Sequence, residues 1–295
     1  ISRLGAVAVP INILNRRDEV AYVLGQSESV VLVTIDQFRD IDHLDSLDRI
    51  VPNWERVGGG QILPMLRQVV VFPAGGSTRP SAMMFNELDL DGPPISIPVD
   101  PLAPCDILYT SGTTGPPKGV VLTHDMLTRT AFGSAYARAF EDGRRVLFSL
   151  PLYHVFGYVE GLLAVPYVGG AIIPQLRFDA AATLDAVERH RATDALLVPA
   201  MSLAVLDAAA ADNRDLSSWQ SVLASGGRAP RRVWQAIHDV LGVAEITTGY
   251  GMTETTASTT VTRPDDPIER LLASNGRQRD VGPAGDPDLG GRLVA

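Results

Sequence analysis

Short β-branched runs alternate with helical stretches along almost the whole chain. That order predicts an α/β fold of parallel-sheet subdomains with helices on their faces. Two other observations support this class. Ligands of open parallel sheets gather at the carboxyl ends of strands, and the two motifs richest in chemistry each follow directly on a candidate strand. The most apolar window, residues 155–174, is interrupted by Glu160, Pro166 and four glycines, so it reads as a buried helix and strand rather than a membrane span.

In chain order, strands are expected at residues 30–33, 68–72, 106–110, 146–150, 171–174, 195–198, 221–224 and 245–248. Helical patterns lie between them at residues 18–26, 125–140, 156–166, 180–191, 201–211 and 231–241. Residues 58–60 and 73–104 are rich in Gly, Pro and Ser and read as irregular surface connections. From Arg263 onward Asp, Pro and Gly cluster, and no clear element is expected before residues 292–295. The implied organisation is a pair of subdomains, 1–104 and 105–262, with residues 263–295 as the partial start of a further β-rich region. Internal repeats and low-complexity tracts are absent.

The 295 residues can bury a substantial core, and 45% hydrophobic with 20% charged residues is the balance of a globular chain rather than a disordered one. The formal charge of −9 argues against general binding to nucleic acid or anionic membrane. An anionic ligand must then be held by local donors and a metal. Cys105 is the only cysteine, so an intrachain disulfide is excluded and a reducing cytoplasm is the simplest location. Its thiol reads as a small apolar group entering a strand, with a reactive thiol as the alternative.

The segment from Ile107 to His124 is the most informative. Tyr109, Thr110, Ser111, Thr113 and Thr114 supply hydroxyls, Gly112, Gly115 and Gly119 supply backbone freedom, and Lys118 supplies a positive charge. Glycines let N–H groups turn toward an oxyanion, hydroxyls add donors, and the lysine adds a point charge. The spacing is not that of a Walker A loop, since Pro117 stands where that pattern needs glycine. Apolar flanks on both sides argue against a solvated linker.

Tyr109-Thr-Ser-Gly-Thr-Thr-Gly-Pro-Pro-Lys-Gly119 resembles, unbroken over eleven residues, the signature loop of the adenylate-forming enzymes. These are the acyl- and aryl-CoA synthetases, peptide-synthetase adenylation domains and luciferases. The resemblance implies that Thr110, Ser111, Gly112, Thr113, Thr114, Gly115 and Lys118 bind ATP, holding its outer phosphates while a carboxylate attacks the α-phosphate. It implies the fold of an incomplete large N-terminal domain, without the ribose-binding aspartate, the hinge or the C-terminal lid with its catalytic lysine. The chain is therefore expected to be the central part of a larger enzyme, with little turnover on its own.

Gly249-Tyr-Gly-Met-Thr-Glu254 is similar to the family's second motif. The likeness implies that Tyr250 stacks on adenine beside Gly251, that Thr253 bonds the α-phosphate and that Glu254 binds Mg²⁺. An aromatic face does suit a purine, and a carboxylate suits a hard cation beside phosphates. Ser225-Gly-Gly-Arg-Ala-Pro230 resembles the family's adenine-contacting turn, implying contacts from Gly226 and Gly227. Arg228 departs from the Ala or Glu common there, and whether it caps the adenine, reaches a phosphate or is solvated stays open.

Pro151-Leu-Tyr-His-Val-Phe-Gly157 resembles the acyl-pocket segment of CoA synthetases, implying that His154 lies beside the reacting carboxylate. Phe156, Gly157, Tyr158, Met201 and Gly249 are expected to shape the pocket. No carboxylate lies between Leu150 and Val159, which favours an uncharged acyl or aryl acid over an amino acid. His43, His190 and His238 are expected at the surface, and His124 either closes the loop motif or caps the next helix. Val281-Gly-Pro-Ala-Gly285 is the weakest match, because Pro283 replaces the family's arginine.

The implied function is ATP- and Mg²⁺-dependent activation of a small carboxylic acid, with CoA as acyl acceptor and Lys118, His154, Thr253 and Glu254 as the catalytic set. The alternatives are an acyl-AMP ligase that loads a carrier protein, and a non-catalytic nucleotide- or acyl-binding remnant.

Overall fold

The computed structural model describes residues 1–76, 79–88, 92, 95, 97–110, 115–210 and 213–278. It divides into two compact units, Ile1–Val121 and Leu122–Ala295.

The first unit opens with α1 (Arg17–Gln26), followed by β1 (Val31–Ile35) and a small antiparallel pair, β2 (Gln37–Phe38) and β3 (Ile41–Asp42). Next come α2 (His43–Ile50), α3 (Trp54–Val57), β4 (Gln68–Phe72) and β5 (Met83–Met84). Strands β1, β4 and β5 form a parallel sheet in that order. Helix α2 starts where the Asp42 carboxylate accepts the Asp45 N–H at 2.8 Å, which satisfies one of the exposed first-turn donors. Its buried Leu44, Leu47 and Ile50 share one face and pack with Leu24, Trp54, Val69 and Val71. β6 (Pro104–Thr110) and β7 (Lys118–Thr123) make a two-stranded ribbon, and the boundary between the units falls within β7.

The second unit begins with α4 (His124–Ala137) and β8 (Arg145–Phe148), then the helical segment Phe156–Leu163 and β9 (Ala171–Pro174). α5 (Ala180–His190), β10 (Asp194–Leu197), α6 (Pro199–Ala209), β11 (Ser221–Ala224), α7 (Arg231–Leu241) and β12 (Glu245–Thr247) continue the alternation. These strands form one five-stranded sheet ordered β12-β11-β10-β8-β9, and every pairing is parallel. β10 and β11 are buried at every position, as strands covered on both faces must be. Val233, Trp234, Ile237 and Leu241 on one face of α7 join Leu184 and Val187 of α5 in the core. An antiparallel sheet of β13 (Gly249–Met252), β14 (Ala257–Val261) and β15 (Arg277–Gln278) completes the unit, with α8 (Ile268–Ala273) before β15.

Several expectations need correction. The tail from Arg263 does contain elements, α8 and β15, and residues 292–295 lie outside the described residues. Residues 73–104 include β5, added to the edge of the first sheet by β4. Gly58 and Gly59 are buried rather than superficial, because the chain folds back there until a Cβ on Gly59 would lie 1.9 Å from the Leu63 carbonyl oxygen. His43 is also buried, and burial lowers its pKa against the opposing pull of Asp42 and Asp36. His124 does not cap α4; Thr123 does, its hydroxyl accepting the Met126 N–H at 3.2 Å. The helix at Phe156–Leu163 is π-wound: the Ala164 N–H reaches five residues back to the Val159 carbonyl at 3.0 Å.

Candidate functional site

In the first unit, Thr110 ends β6 half-buried and the exposed Lys118 begins β7. Gly119 lets these strands close on each other, since a Cβ there would lie 2.8 Å from Ile107 Cγ2. Helix α1 braces the ribbon: the Tyr22 hydroxyl donates to the Pro117 carbonyl at 2.9 Å, and the Tyr109 hydroxyl bonds the Gln26 side-chain oxygen. Burial raises the Tyr109 pKa, so this phenol is a neutral donor. Gly115 is exposed. Ser111, Gly112, Thr113 and Thr114 lie outside the described residues.

In the second unit, the sheet order sets the site. β12, β11, β10 and β8 are consecutive neighbours, so the segments leaving their carboxyl ends emerge side by side. β8 leads to His154, β10 to Met201, β11 to Gly226–Arg228 and β12 to Gly249–Glu254. The opposite edge of the same sheet is structural. There Arg144 lies 3.2 Å from Glu245 and 3.7 Å from Asp194, and burial raises the pKa of both carboxylates despite the nearby guanidinium groups.

The glycine turn and the tyrosine strand are joined directly. The Ser225 hydroxyl donates to the Gly249 carbonyl at 2.7 Å in a buried position. β13 and β14 approach closely because Gly249 and Gly251 carry no side chain; a Cβ on Gly251 would lie 1.8 Å from the Ala257 carbonyl oxygen. Tyr250 is 51% exposed, so its ring face is open to a ligand. Thr253 is buried and Glu254 exposed in the short turn that follows. Gly226, Gly227 and Arg228 are exposed. Gly227 and Arg228 line a cleft with Trp234, Thr248, Leu271 and Asn275. Trp234, a wall of this cleft, belongs to none of the sequence motifs. Its buried indole N–H finds no acceptor among the described residues.

In the segment leaving β8, His154 Nδ1 accepts the Phe156 N–H at 3.2 Å. The neutral ring therefore carries its proton on Nε2. The ring keeps a solvent-exposed edge, and desolvation by its surroundings lowers its pKa, which favours that neutral form. Gly157 is buried against the backbone, where a Cβ would lie 2.6 Å from the Pro151 carbonyl oxygen. Phe156 and Met201 pack on the same apolar cluster of Val146, Phe148, Leu196 and Leu223, so the structure does bring these two together. Tyr158 is half-buried.

Among the described residues, no three His, Cys, Asp or Glu side chains gather to hold a metal ion. A magnesium ion needs less: one or two carboxylates together with ligand phosphates suffice, and the exposed Glu254 fits that role. No described helix is long and apolar enough to cross a membrane. Val281–Gly285, with Pro283, lies outside the described residues.

A family model described as AMP-binding enzyme matches residues 1–281. YngI of Bacillus subtilis (strain 168), which carries the provisional name acyl-CoA synthetase, is 31% identical over 291 residues, covering 94% of this chain and 52% of that protein. The anthranilate CoA ligase AuaEII, solved in complex with anthranoyl-AMP, superposes with a TM-score of 0.73 at 25% identity, over 94% of this chain and 50% of that one. The O-succinylbenzoate CoA synthetase MenE from Bacillus subtilis, solved with ATP and a magnesium ion, gives 0.70 at 26% identity over 94% and 51%. The chain spans about half the length of the relatives it matches. With a parallel-sheet fold, a glycine turn bonded to a Gly-Tyr-Gly strand, and a family match across residues 1–281, this chain belongs to the AMP-binding, adenylate-forming enzymes.

Proposed function

We propose that the protein containing this chain activates a carboxylic acid with ATP and passes the acyl group to the thiol of CoA. The observation that carries the reading is the bond from Ser225 to the Gly249 carbonyl, which ties a glycine turn to an open tyrosine ring. Glycines and an aromatic face are the surfaces that a planar base needs. Gly226, Gly227, Arg228, Tyr250 and Gly251 would take the adenine end. Thr253 would donate to the α-phosphate, and Thr110, Gly115 and Lys118, with Ser111, Gly112, Thr113 and Thr114, would hold the outer phosphates.

In this mechanism the acid's carboxylate oxygen attacks the α-phosphorus and pyrophosphate leaves. The CoA thiol then attacks the acyl carbonyl, AMP leaves, and the thiol proton goes to solvent. His154 acts as a neutral Nε2–H donor, orienting the carboxylate without drawing off its charge. Lys118 neutralises charge on the departing pyrophosphate. Magnesium, held by Glu254 and the phosphates, would screen the negative charge that the attacking carboxylate meets.

Phe156 and Met201, on a common apolar cluster, favour an uncharged acyl or aryl chain. The names of the relatives, an acyl-CoA synthetase and an anthranilate CoA ligase, support the same class. Acid-dependent exchange of labelled pyrophosphate into ATP tests the first step. Exchange driven by neutral-tailed acids is expected; exchange driven only by amino acids would overturn the assignment of the acid pocket.

A further inference from the structure

Glu160 is fully buried in the most apolar stretch of the chain, on the π-wound segment that begins just after His154. A carboxylate is costly to bury unless its oxygens are hydrogen-bonded. Here one carboxylate oxygen accepts the Ser258 N–H at 3.3 Å, and the other is bonded by the Ser134 hydroxyl of α4. The Glu160 carbonyl in turn accepts Nη1–H of Arg138 at 2.9 Å. Helix α4, through Ser134 and its C-terminal Arg138, and β14, through Ser258, therefore meet on one residue of the π-wound segment.

The Ser258 contact bears on the candidate site. Ser258 is the register partner of Gly251, at the point where the β13–β14 ladder shifts by a residue. Just before it, Thr256 has φ of 61° and Ala257 φ of 96°. Both are left-handed conformations that a residue with a Cβ adopts only when its surroundings over-determine them. One end of this turn is tied internally, the Thr256 N–H bonding the Thr253 carbonyl at 2.9 Å. Glu160 ties the other end, from outside the hairpin. Thr253 and Glu254 lie within the turn so held.

We propose that Glu160 is a positioning residue, which pins Ser258 so that the strained turn carrying Thr253 and Glu254 keeps the geometry needed by the nucleotide. The pin springs from the His154 segment, so the acid-binding and nucleotide-binding segments share one anchor. The nucleotide part of this proposal rests on the function proposed above; the pin itself does not.

Amide hydrogen exchange of the ligand-free protein, together with Mg·ATP affinity, tests it on E160A and E160Q. E160A is expected to speed exchange at Gly251 and Ser258 at least tenfold while β10 and β11 stay within twofold of wild type. Its dissociation constant for Mg·ATP is expected to rise at least tenfold. E160Q keeps an acceptor for Ser258 and gains a donor toward Ser134, so it should restore both readouts to within threefold. If E160A does not fold, S134A, which removes one bond to the same carboxylate, should give the same local pattern at smaller amplitude. Unchanged exchange at Gly251 and Ser258, or an equal rise across the whole sheet, would overturn the proposal. A local exchange pattern in a protein whose wild type binds no nucleotide would uphold the pin and sink the proposed function instead.

Discussion

Gly251→Ala is the sharpest single perturbation of the site. A Cβ there would lie 1.8 Å from the Ala257 carbonyl oxygen and 2.5 Å from Ser258 Cα, against ordinary contacts from 3.4 Å. Both neighbours are backbone, so β13 and β14 must part by about 1.6 Å at this point, the difference between those two oxygen distances. Parting by that much breaks local ladder bonds worth about 1 kcal/mol each and adds overpacking strain of about 1–3 kcal/mol. A loss of roughly 3 kcal/mol should lower the melting midpoint by about 6–12 °C for a domain of this size class. The matched control is Gly227→Ala. Its Cβ meets only the Pro199 ring, Cγ at 3.5 Å and Cδ at 3.8 Å, and its φ is not left-handed. That substitution should leave stability unchanged or raise it by about 0.4–1 kcal/mol, while its methyl group intrudes where a base would lie and weakens nucleotide binding. Differential scanning calorimetry and titration with Mg·ATP read both variants. G251A with a wild-type midpoint and wild-type affinity would refute the close-approach argument.

Three further outcomes are expected. Lys118→Ala should weaken ATP by about tenfold or more, as loss of a charge-assisted contact implies, and AMP much less; equal losses measured by calorimetry would remove Lys118 from the outer phosphates. Glu254→Gln should flatten the dependence of nucleotide affinity on magnesium concentration, and an unchanged metal titration would take Glu254 out of the site. Burial raises the Asp194 pKa above its ordinary 3.8, so the native state holds that proton more tightly than the unfolded chain does. The resulting stability is fully present below the ordinary value and is lost as pH rises through the raised one. The unfolding free energy of Asp194→Asn, taken relative to wild type, should therefore increase with pH from about 3.8 upward, and a difference that shrinks in denaturant titrations would contradict the sign.

Elements that stand on their own short-range pattern were legible in the sequence. β4, β9, β11 and α7 have the expected ends, because compact apolar runs or a strong single-face periodicity bound them. Elements that depend on a partner were not. β13 and β14 pair only because Gly249 and Gly251 admit the opposite backbone, and Gly-Tyr-Gly-Met reads as a ligand motif rather than a strand. Helix α2 was missed although Asp42 and the Leu44, Leu47, Ile50 spacing carry its signal. The helical pattern at residues 156–166 foretells the helix at Phe156–Leu163 but not its π-winding. Around the candidate site, the motif residues stand out by their chemistry, whereas Trp234 and Ser258 do not, because their place comes from contacts across the fold. Glu160 did leave a trace: a carboxylate in the most apolar window of the chain implies buried hydrogen-bond partners.

The function proposed above requires the segments leaving β8, β11 and β12 to form a site for an acyl-adenylate. Thermal unfolding with a non-hydrolysable acyl-adenylate analogue tests it most directly. At about a hundred times its dissociation constant the analogue adds about 2.7 kcal/mol, and the midpoint should rise by about 5–10 °C at 2–4 °C per kcal/mol. Tyr250→Ala should abolish most of that rise while still melting cooperatively. An unshifted midpoint in a cooperatively melting wild-type protein would contradict the account, because the motifs would then persist without a site.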